Sequence, residues 1–302
     1  MSKAKPFVKW VGGKGQLLQQ LENLLPPDFY TKTNITYVEP FVGGGAMLFY
    51  MLQQHKNIEC AVINDINPYL TDCYNAIKDE PKLLIEALYD LQEKYYSLAD
   101  EISRKEFFLN AREHFNSRTA DKIENSALFI FLNRTCFNGL YRVNKSGKFN
   151  VPFGKYVNPK ICDADTILAD SALLQKVEIM TGDFEQTIRR ADNNSFFYLD
   201  PPYRPLNETS SFTSYSKEDF NDDSQRRLKS FCDKINSKGA NFLMSNSDGM
   251  VAGNNDRFFY DLYESYNINK VWASRNVNSI GSKRGKLTEI AVENYNSKSI
   301  AV

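Results

Sequence analysis

Histidine is almost absent. The chain has two, His55 and His114, and neither falls in a metal-ligand spacing such as H-E-x-x-H. Chemistry run by a histidine base or a zinc ion is therefore not expected, and no metal site is. The five cysteines, at 60, 73, 136, 162 and 232, form no C-x-x-C pair and are odd in number. That argues against a disulfide framework and for a reduced, cytoplasmic setting. Long apolar runs are missing too. The longest, residues 127–132 (ALFIFL), is far too short to span a bilayer. The first residues (Met1-Ser-Lys-Ala-Lys-Pro-Phe) hold no apolar segment that could act as a signal peptide. Neither a membrane partner nor secretion is expected.

Net charge is absent as well, with 37 basic side chains balancing 37 acidic ones, but the charge is unevenly spread. Residues 1–21 carry Lys3, Lys5, Lys9 and Lys14 and no acid. Residues 134–160 carry Arg134, Arg142, Lys145, Lys148, Lys155 and Lys160, again with no acid. Residues 274–288 add Arg275, Lys283, Arg284 and Lys286. One such run is usually a solvated face. Three in an otherwise acidic chain predict a concentrated patch that meets an acidic polymer.

With 302 residues, 42% hydrophobic and 25% charged, the chain has the balance of a soluble globular protein of one large or two smaller domains. Apolar runs bounded by turn residues predict strands at 35–39, 59–64, 177–180, 195–199, 240–245, 268–273 and 287–293. Helix-period segments follow several of them, at 44–54, 68–78, 218–238 and 255–264. The alternation predicts an α/β sheet with helices on both faces. Residues 69–165 break the rhythm: they are helical and aromatic, then basic and rich in glycine and asparagine from 134 to 160. We read them as a second domain inserted between the catalytic pieces 1–68 and 166–302.

Three motifs carry chemistry. In YVEPFVGGGAMLFYM (37–51) a strand runs into Gly43-Gly44-Gly45 and then a helix. Glycines there let a ligand approach the backbone, and helix amides favour negative charge. Asp65 follows a second strand, twenty residues beyond Gly45, a spacing that suits two ribose hydroxyls and hence a nucleoside-containing cofactor. The dinucleotide fingerprint fails, because Leu48 stands where its third glycine belongs. The P-loop fails at Lys14, with Val8 at the distal glycine and Gly15 in place of Ser or Thr. PFVKWVGGKGQLL (6–18) is by itself only a basic turn opening a helix, yet beside an adenosine site Trp10 and Lys14 would wrap the cofactor's polar tail. In SFFYLDPPYRPL (195–206), Pro201 and Pro202 end a buried strand and leave Asp200 at its carboxyl end, where ligands of open α/β sheets bind. The Asp200 carboxylate and the Pro201 carbonyl accept hydrogen bonds, and Tyr203 offers a flat face. Together they form a receptor for an exocyclic amine on a planar base.

The ordered set FVKWVGGK (7–14), EPFVGGG (39–45), NDIN (64–67), FNGLYRVN (137–144), NVPFGKY (150–156) and DPPY (200–203) resembles the Dam family of DNA adenine methyltransferases over nearly the whole chain. The resemblance implies a Rossmann-like, seven-stranded methyltransferase sheet with an inserted, mostly helical target-recognition domain carrying a β-hairpin. It implies transfer of a methyl group from S-adenosylmethionine to the N6 amine of an adenine flipped out of double-stranded DNA, usually within GATC. By the family pattern Trp10, Lys14, Asp65 and Asp200 line the cofactor site, Phe41, Gly43 and Gly45 form its floor, and Asp183-Phe184 meet the adenine ring of the cofactor. Asp200, Pro201, Pro202 and Tyr203 are the catalytic turn. Arg142 reads guanine, Lys9 a second guanine, and Leu140 and Pro152 touch thymine methyls. Phe137 and Asn138 brace the duplex where adenine leaves. Arg134, Arg275, Lys283 and Arg284 contact DNA. The loop 204–216 resembles the family's mobile segment beside the active site.

Two other readings stay open. One is an amino-methyltransferase for cytosine N4 in DNA or for adenine in RNA. The other is a DNA-binding module on a dead methyltransferase fold, which would require a broken cofactor site. A bacterial or phage origin is expected, and a paired restriction endonuclease acting without a stable complex is compatible with the same chain.

Overall fold

The computed structural model describes residues 3–204, 220–249, 256–274 and 286–297. Arg275, Lys283 and Arg284, expected to contact DNA, and most of the loop 204–216 lie outside the described residues. Seven strands form one sheet: β1 (Ile35–Glu39), β2 (Ile58–Asp65), β3 (Val177–Thr181), β4 (Ser195–Leu199), β5 (Asn241–Ser247), β6 (Asn267–Ser274) and β7 (Lys286–Glu293). Their order is β3-β2-β1-β4-β5-β7-β6. The first five are parallel neighbours, and β7 enters antiparallel between β5 and β6. This is the predicted methyltransferase sheet. Central parallel strands are covered on both faces, so β4 reads as one uninterrupted apolar run, buried at every position.

The helices sort onto the two faces. On one side α8 (Asp222–Ser237) buries Leu228, Phe231, Cys232 and Ile235 at helical spacing, with α9 (Phe258–Leu262) beside it. Asn221 caps α8 by accepting from the Ser224 amide at 3.0 Å. The other face is covered by α2 (Ala46–Gln54), α3 (Pro68–Asp79) and α7 (Ala164–Leu174). Asn67 caps α3 through the Tyr69 amide, and Pro68 occupies its first turn, where proline needs no donor. A short α1 (Leu18–Glu22) precedes β1.

Between α3 and α7 lies the inserted region, with α4 (Pro81–Tyr96), α5 (Glu101–Ser117) and α6 (Lys122–Thr135). The longest apolar run of the sequence is the heart of α6, buried on every side from Ser126 to Asn133 and packed against α3, α4 and α5. An all-round apolar helix belongs inside a bundle. Its side chains and those of the sheet's α2–α3 face form one continuous apolar core. The expected β-hairpin is reduced. Two isolated antiparallel bridges, Cys136 with Phe153 and Val143 with Phe149, enclose a short 3-10 turn, Phe137–Gly139. Among the described residues no helix is long and apolar enough to cross a membrane.

Candidate active site

The strand order reverses between β1 and β4: the chain runs outward through β2 and β3 on one side and through β5, β7 and β6 on the other. Ligands of open α/β sheets sit in the crevice at such a switch point, beyond the carboxyl ends of the strands.

On the β1 side the chain passes Glu39-Pro40-Phe41-Val42 into the glycine turn and then α2. Gly43 and Gly45 hold left-handed backbones, φ 48° and 76°. A β-carbon on Gly43 would fall 2.8 Å from the Trp10 indole, and one on Gly45 would fall 2.5 Å from the Tyr74 hydroxyl. Conformation and space both demand glycine here. Trp10 thus lies directly against the turn, and it also stacks on Tyr141, ring centres 5.8 Å apart at 21°. At the end of β2 the two oxygens of Asp65 accept from the amides of Gly43 (3.1 Å) and Asn67 (2.9 Å). Burial pushes this carboxyl up to about 6, with the amide donors working against the rise. The Asn64 side chain ties the turn to β3, donating to the carbonyls of Pro40 (3.0 Å) and Gly182 (2.9 Å). Beyond Gly182, Phe184 is buried against Phe41 at 5.1 Å. Asp183 is exposed, pairs with Arg227 and caps the following 3-10 turn.

On the β4 side Asp200 stands at the strand end. Its Oδ1 accepts from Ser245 Oγ at 3.1 Å and lies 3.1 Å from Lys14 Nζ. Ser245, on β5, also meets the Tyr198 hydroxyl at 3.1 Å. The Lys14 ammonium, only 4% exposed, donates to Glu289 Oε2 on β7 at 3.1 Å and to the Tyr203 hydroxyl. It also sits 4.5 Å from the centre of the Tyr203 ring. Burial raises the Asp200 carboxyl above the usual range; Lys14 opposes that rise and Glu289 adds to it. Burial alone would lower the Lys14 ammonium, but the two carboxylates outweigh it and hold it above its ordinary value. The Pro202 carbonyl accepts from the buried Gln225 at 3.3 Å, and Gln225 in turn accepts from Asn246. Pro201 is buried, Tyr203 is 38% exposed, and Arg204 beyond them is paired with Asp222 and Asp256.

The inserted region brings a third group to the same end of the sheet. Asn133 accepts from the Lys9 amide and donates to the carbonyls of Lys9 and Gly139, each at 2.8 Å. Lys9 runs on over the Tyr156 ring. Phe137 is 53% exposed, and Asn138 beside it is exposed at a left-handed φ of 56°. Leu140 and Arg142 are half-buried and Pro152 is exposed. Arg142 is braced by Asn150, Nε to Oδ1 at 2.8 Å. Arg134 faces inward: its Nη2 donates to the Phe7 carbonyl at 2.7 Å, and burial lowers its guanidinium below the usual value.

The fold gathers the glycine turn, Asp65, Trp10, Lys14 and the Asp200 turn, all named from the sequence. Beside them it sets Ser245, Gln225 and Glu289, which the sequence did not single out. Polar residues at the end of an apolar strand (NFLMSNS) and an acid within a strand (KLTEIAVE) were the available signals. The two histidines lie elsewhere, His55 against Glu22 and Phe29, His114 beside Glu124. Among the described residues no cluster of three or more His, Cys, Asp or Glu side chains is placed to hold a metal.

The chain is similar to known proteins over nearly its whole length. Residues 10–277 match the D12 class N6 adenine-specific DNA methyltransferases. The chain is 49% identical over 294 residues to the type II methyltransferase M.MjaIII of Methanocaldococcus jannaschii, covering 96% of this chain and 99% of that one. It is 40% identical over 296 residues to M1.LlaDCHI of Lactococcus lactis, covering 96% and 95%. It is 31% identical over 291 residues to the DNA adenine methylase of Escherichia coli, covering 96% and 95%. The family match and these likenesses over nearly the full length place the chain: it belongs to the D12 class of N6 adenine-specific DNA methyltransferases.

Proposed function

We propose that this adenine-specific enzyme binds S-adenosylmethionine at the β1 glycine turn and methylates adenine within GATC. The observation that carries the reading is the pairing of two halves across the switch point. A cradle that excludes any β-carbon lies on β1, and a carboxylate-carbonyl-ring turn lies on β4. Asp65 at the end of β2 would take the ribose hydroxyls, Phe41, Gly43 and Gly45 the floor, Trp10 one wall, and Asp183-Phe184 the adenine ring. Bound there, S-adenosylmethionine supplies an electrophilic methyl group on a sulfonium.

The chain's own residues address the nucleophile. An adenine amine attacks poorly because its lone pair is delocalised into the ring. Hydrogen bonds from its two N–H groups to Asp200 and the Pro201 carbonyl favour a pyramidal nitrogen and free that pair. Pro202, held through Gln225, keeps the turn rigid, so positioning supplies much of the rate. Tyr203 stacks on the flipped base. Flipping costs a few kcal/mol, and Phe137 and Asn138 fill the space left in the duplex.

Residues 69–165 form the target-recognition unit in this reading. Lys9, Leu140, Arg142 and Pro152 read bases, while Arg134 supports the N-terminal segment that carries Lys9. Two relatives are named type II methyltransferases, which supports a restriction endonuclease as functional counterpart. The test is methyl transfer from labelled S-adenosylmethionine to two duplexes that differ only in GATC, followed by digestion to nucleosides. Label in N6-methyladenine from the GATC duplex alone is the expected result. Equal labelling of both removes the GATC assignment.

A further inference from the structure

The amine receptor holds three charges, and only two of them follow from the reading above. Asp200 and Lys14 are a pair at 3.1 Å, and a pair alone is neutral. Glu289 comes from β7, beyond β5 in the sheet, and takes the same ammonium at 3.1 Å. One buried ammonium between two carboxylates leaves one negative charge. Because Lys14 is 4% exposed, solvent screens these charges weakly.

Methyl transfer needs that surplus. As the N6 lone pair forms the new N–C bond, the C–S pair departs with sulfur. Positive charge grows on nitrogen until one N–H proton is lost to water. A receptor of net negative charge favours this change, and a neutral one does not. We propose that Glu289 is a positioning residue for methyl transfer, sharing the Lys14 ammonium so that the receptor around Asp200 keeps a net negative charge. The inference rests on the reading of Asp200 as acceptor for the target amine.

Lys14 is needed for the opposite reason. Asp200 faces Tyr203 on its own turn, Tyr198 and Ser245 from β4 and β5, and the buried Glu39 and Tyr37 of β1. Among the described residues Lys14 is the one cation placed against it from any of these elements. Without Lys14, burial and Glu289 would both favour the neutral acid, which loses its charge for the amine. Lys14 keeps the carboxylate ionised, and Glu289 keeps Lys14 from neutralising it.

The test combines two readouts on the full chain. The first is titration of the Asp200 carboxyl by carbon NMR without cofactor, its signal identified as the one lost in Asp200→Asn. Glu289→Gln keeps an acceptor for Lys14 and removes the charge, so the midpoint moves to lower pH. Lys14→Met moves it to higher pH. The second readout is kinetic. Glu289→Gln lowers kcat about tenfold while KM for DNA and Kd for S-adenosylmethionine stay within about twofold. Glu289→Asp restores most of the loss. The double variant Lys14→Met with Glu289→Gln titrates between the two singles and turns over faster than Lys14→Met alone, because a single negative charge remains. A scaffold role for Glu289 would give no such rescue. If Asp200→Asn is inactive yet Glu289→Gln titrates and turns over as the parent does, Glu289 has no such role. If Asp200→Asn keeps its turnover, the acceptor reading falls first and this inference with it.

Discussion

At the carboxyl ends of β1, β4 and β5, each functional side chain inherits its place from the sheet. Asp200 follows a strand laddered on both sides, and Ser245 sits in the register that pairs it with Ala291 of β7. The turn across residues 136–153, proposed to read DNA, is built another way. Asn144 closes it by accepting from the amides of Ser146 and Lys148, Asn150 braces Arg142, and Asn116 takes the Phe149 amide and carbonyl. Only two isolated bridges cross it. Ladder hydrogen bonds fix the region proposed to carry the chemistry, whereas local side-chain bonds hold the surface proposed to read DNA. Loss of one group should therefore abolish turnover in the first region and shift selectivity in the second.

The largest effect is expected at Asp200. Asp200→Ala should reduce methyl transfer by about a thousandfold or more, because it removes the charged acceptor from a pre-organised receptor. Thermal unfolding should move down only modestly, because the buried Lys14 loses one carboxylate but keeps Glu289 and the strand behind the turn stays buried. Single-turnover kinetics beside a melting curve would check both halves. Retained turnover would break the contrast at its root.

A smaller, qualitatively different loss is expected at Arg142. Arg142→Ala should relax discrimination at one guanine by about 1–3 kcal/mol, roughly 5- to 150-fold in relative kcat/KM, with turnover on the preferred duplex falling far less. Duplexes with single substitutions in the target report it directly. Uniform weakening on every sequence would make Arg142 a phosphate contact and leave selectivity to other residues of the turn.

The two regions also differed in how far they could be read from the chain. Strand ends were legible because a buried parallel strand must be apolar and must stop at residues such as Pro201 and Pro202. The observed β1, β2 and β4 match the expected spans within a residue. Glu289 and Ser245 were not legible as neighbours of Lys14 and Asp200, because those partners lie 275 and 45 residues away and a polar residue in a strand does not say which strand lies beside it. The recognition turn was legible as basic and polar but not as a shape. A continuous hairpin was expected where backbone bonds gather at two isolated bridges and the side chains of Asn116 and Asn144 hold the stretch at its tip. The inward turn of Arg134 was hidden for the same reason: its partner is a backbone carbonyl at Phe7, and backbone carbonyls have no signature in a sequence.

One contact joins the two regions and gives the smallest effect. The segment that carries Lys9 and Lys14 is pinned upstream by Asp170 on α7, whose Oδ1 accepts from the Lys5 amide at 3.0 Å. Its Oδ2 is buried without a hydrogen-bond partner among the described residues. Burial pushes this carboxyl up to about 8, the Lys5 amide opposing and Asp163 adding. The folded protein therefore holds a proton that the unfolded chain releases near pH 4. Stability should fall as pH rises from about 4 to about 8 and flatten above it, because the native state binds more protons across that window. Asp170→Asn keeps an acceptor for Lys5 and carries no charge, so it should lack that slope. It should match the parent near pH 4 and exceed it by a margin that grows as pH rises toward about 8 and is constant above that. Urea midpoints of both proteins across the window decide it. Parallel curves would mean that Asp170 is ionised in the fold, with a cation or water completing its second oxygen.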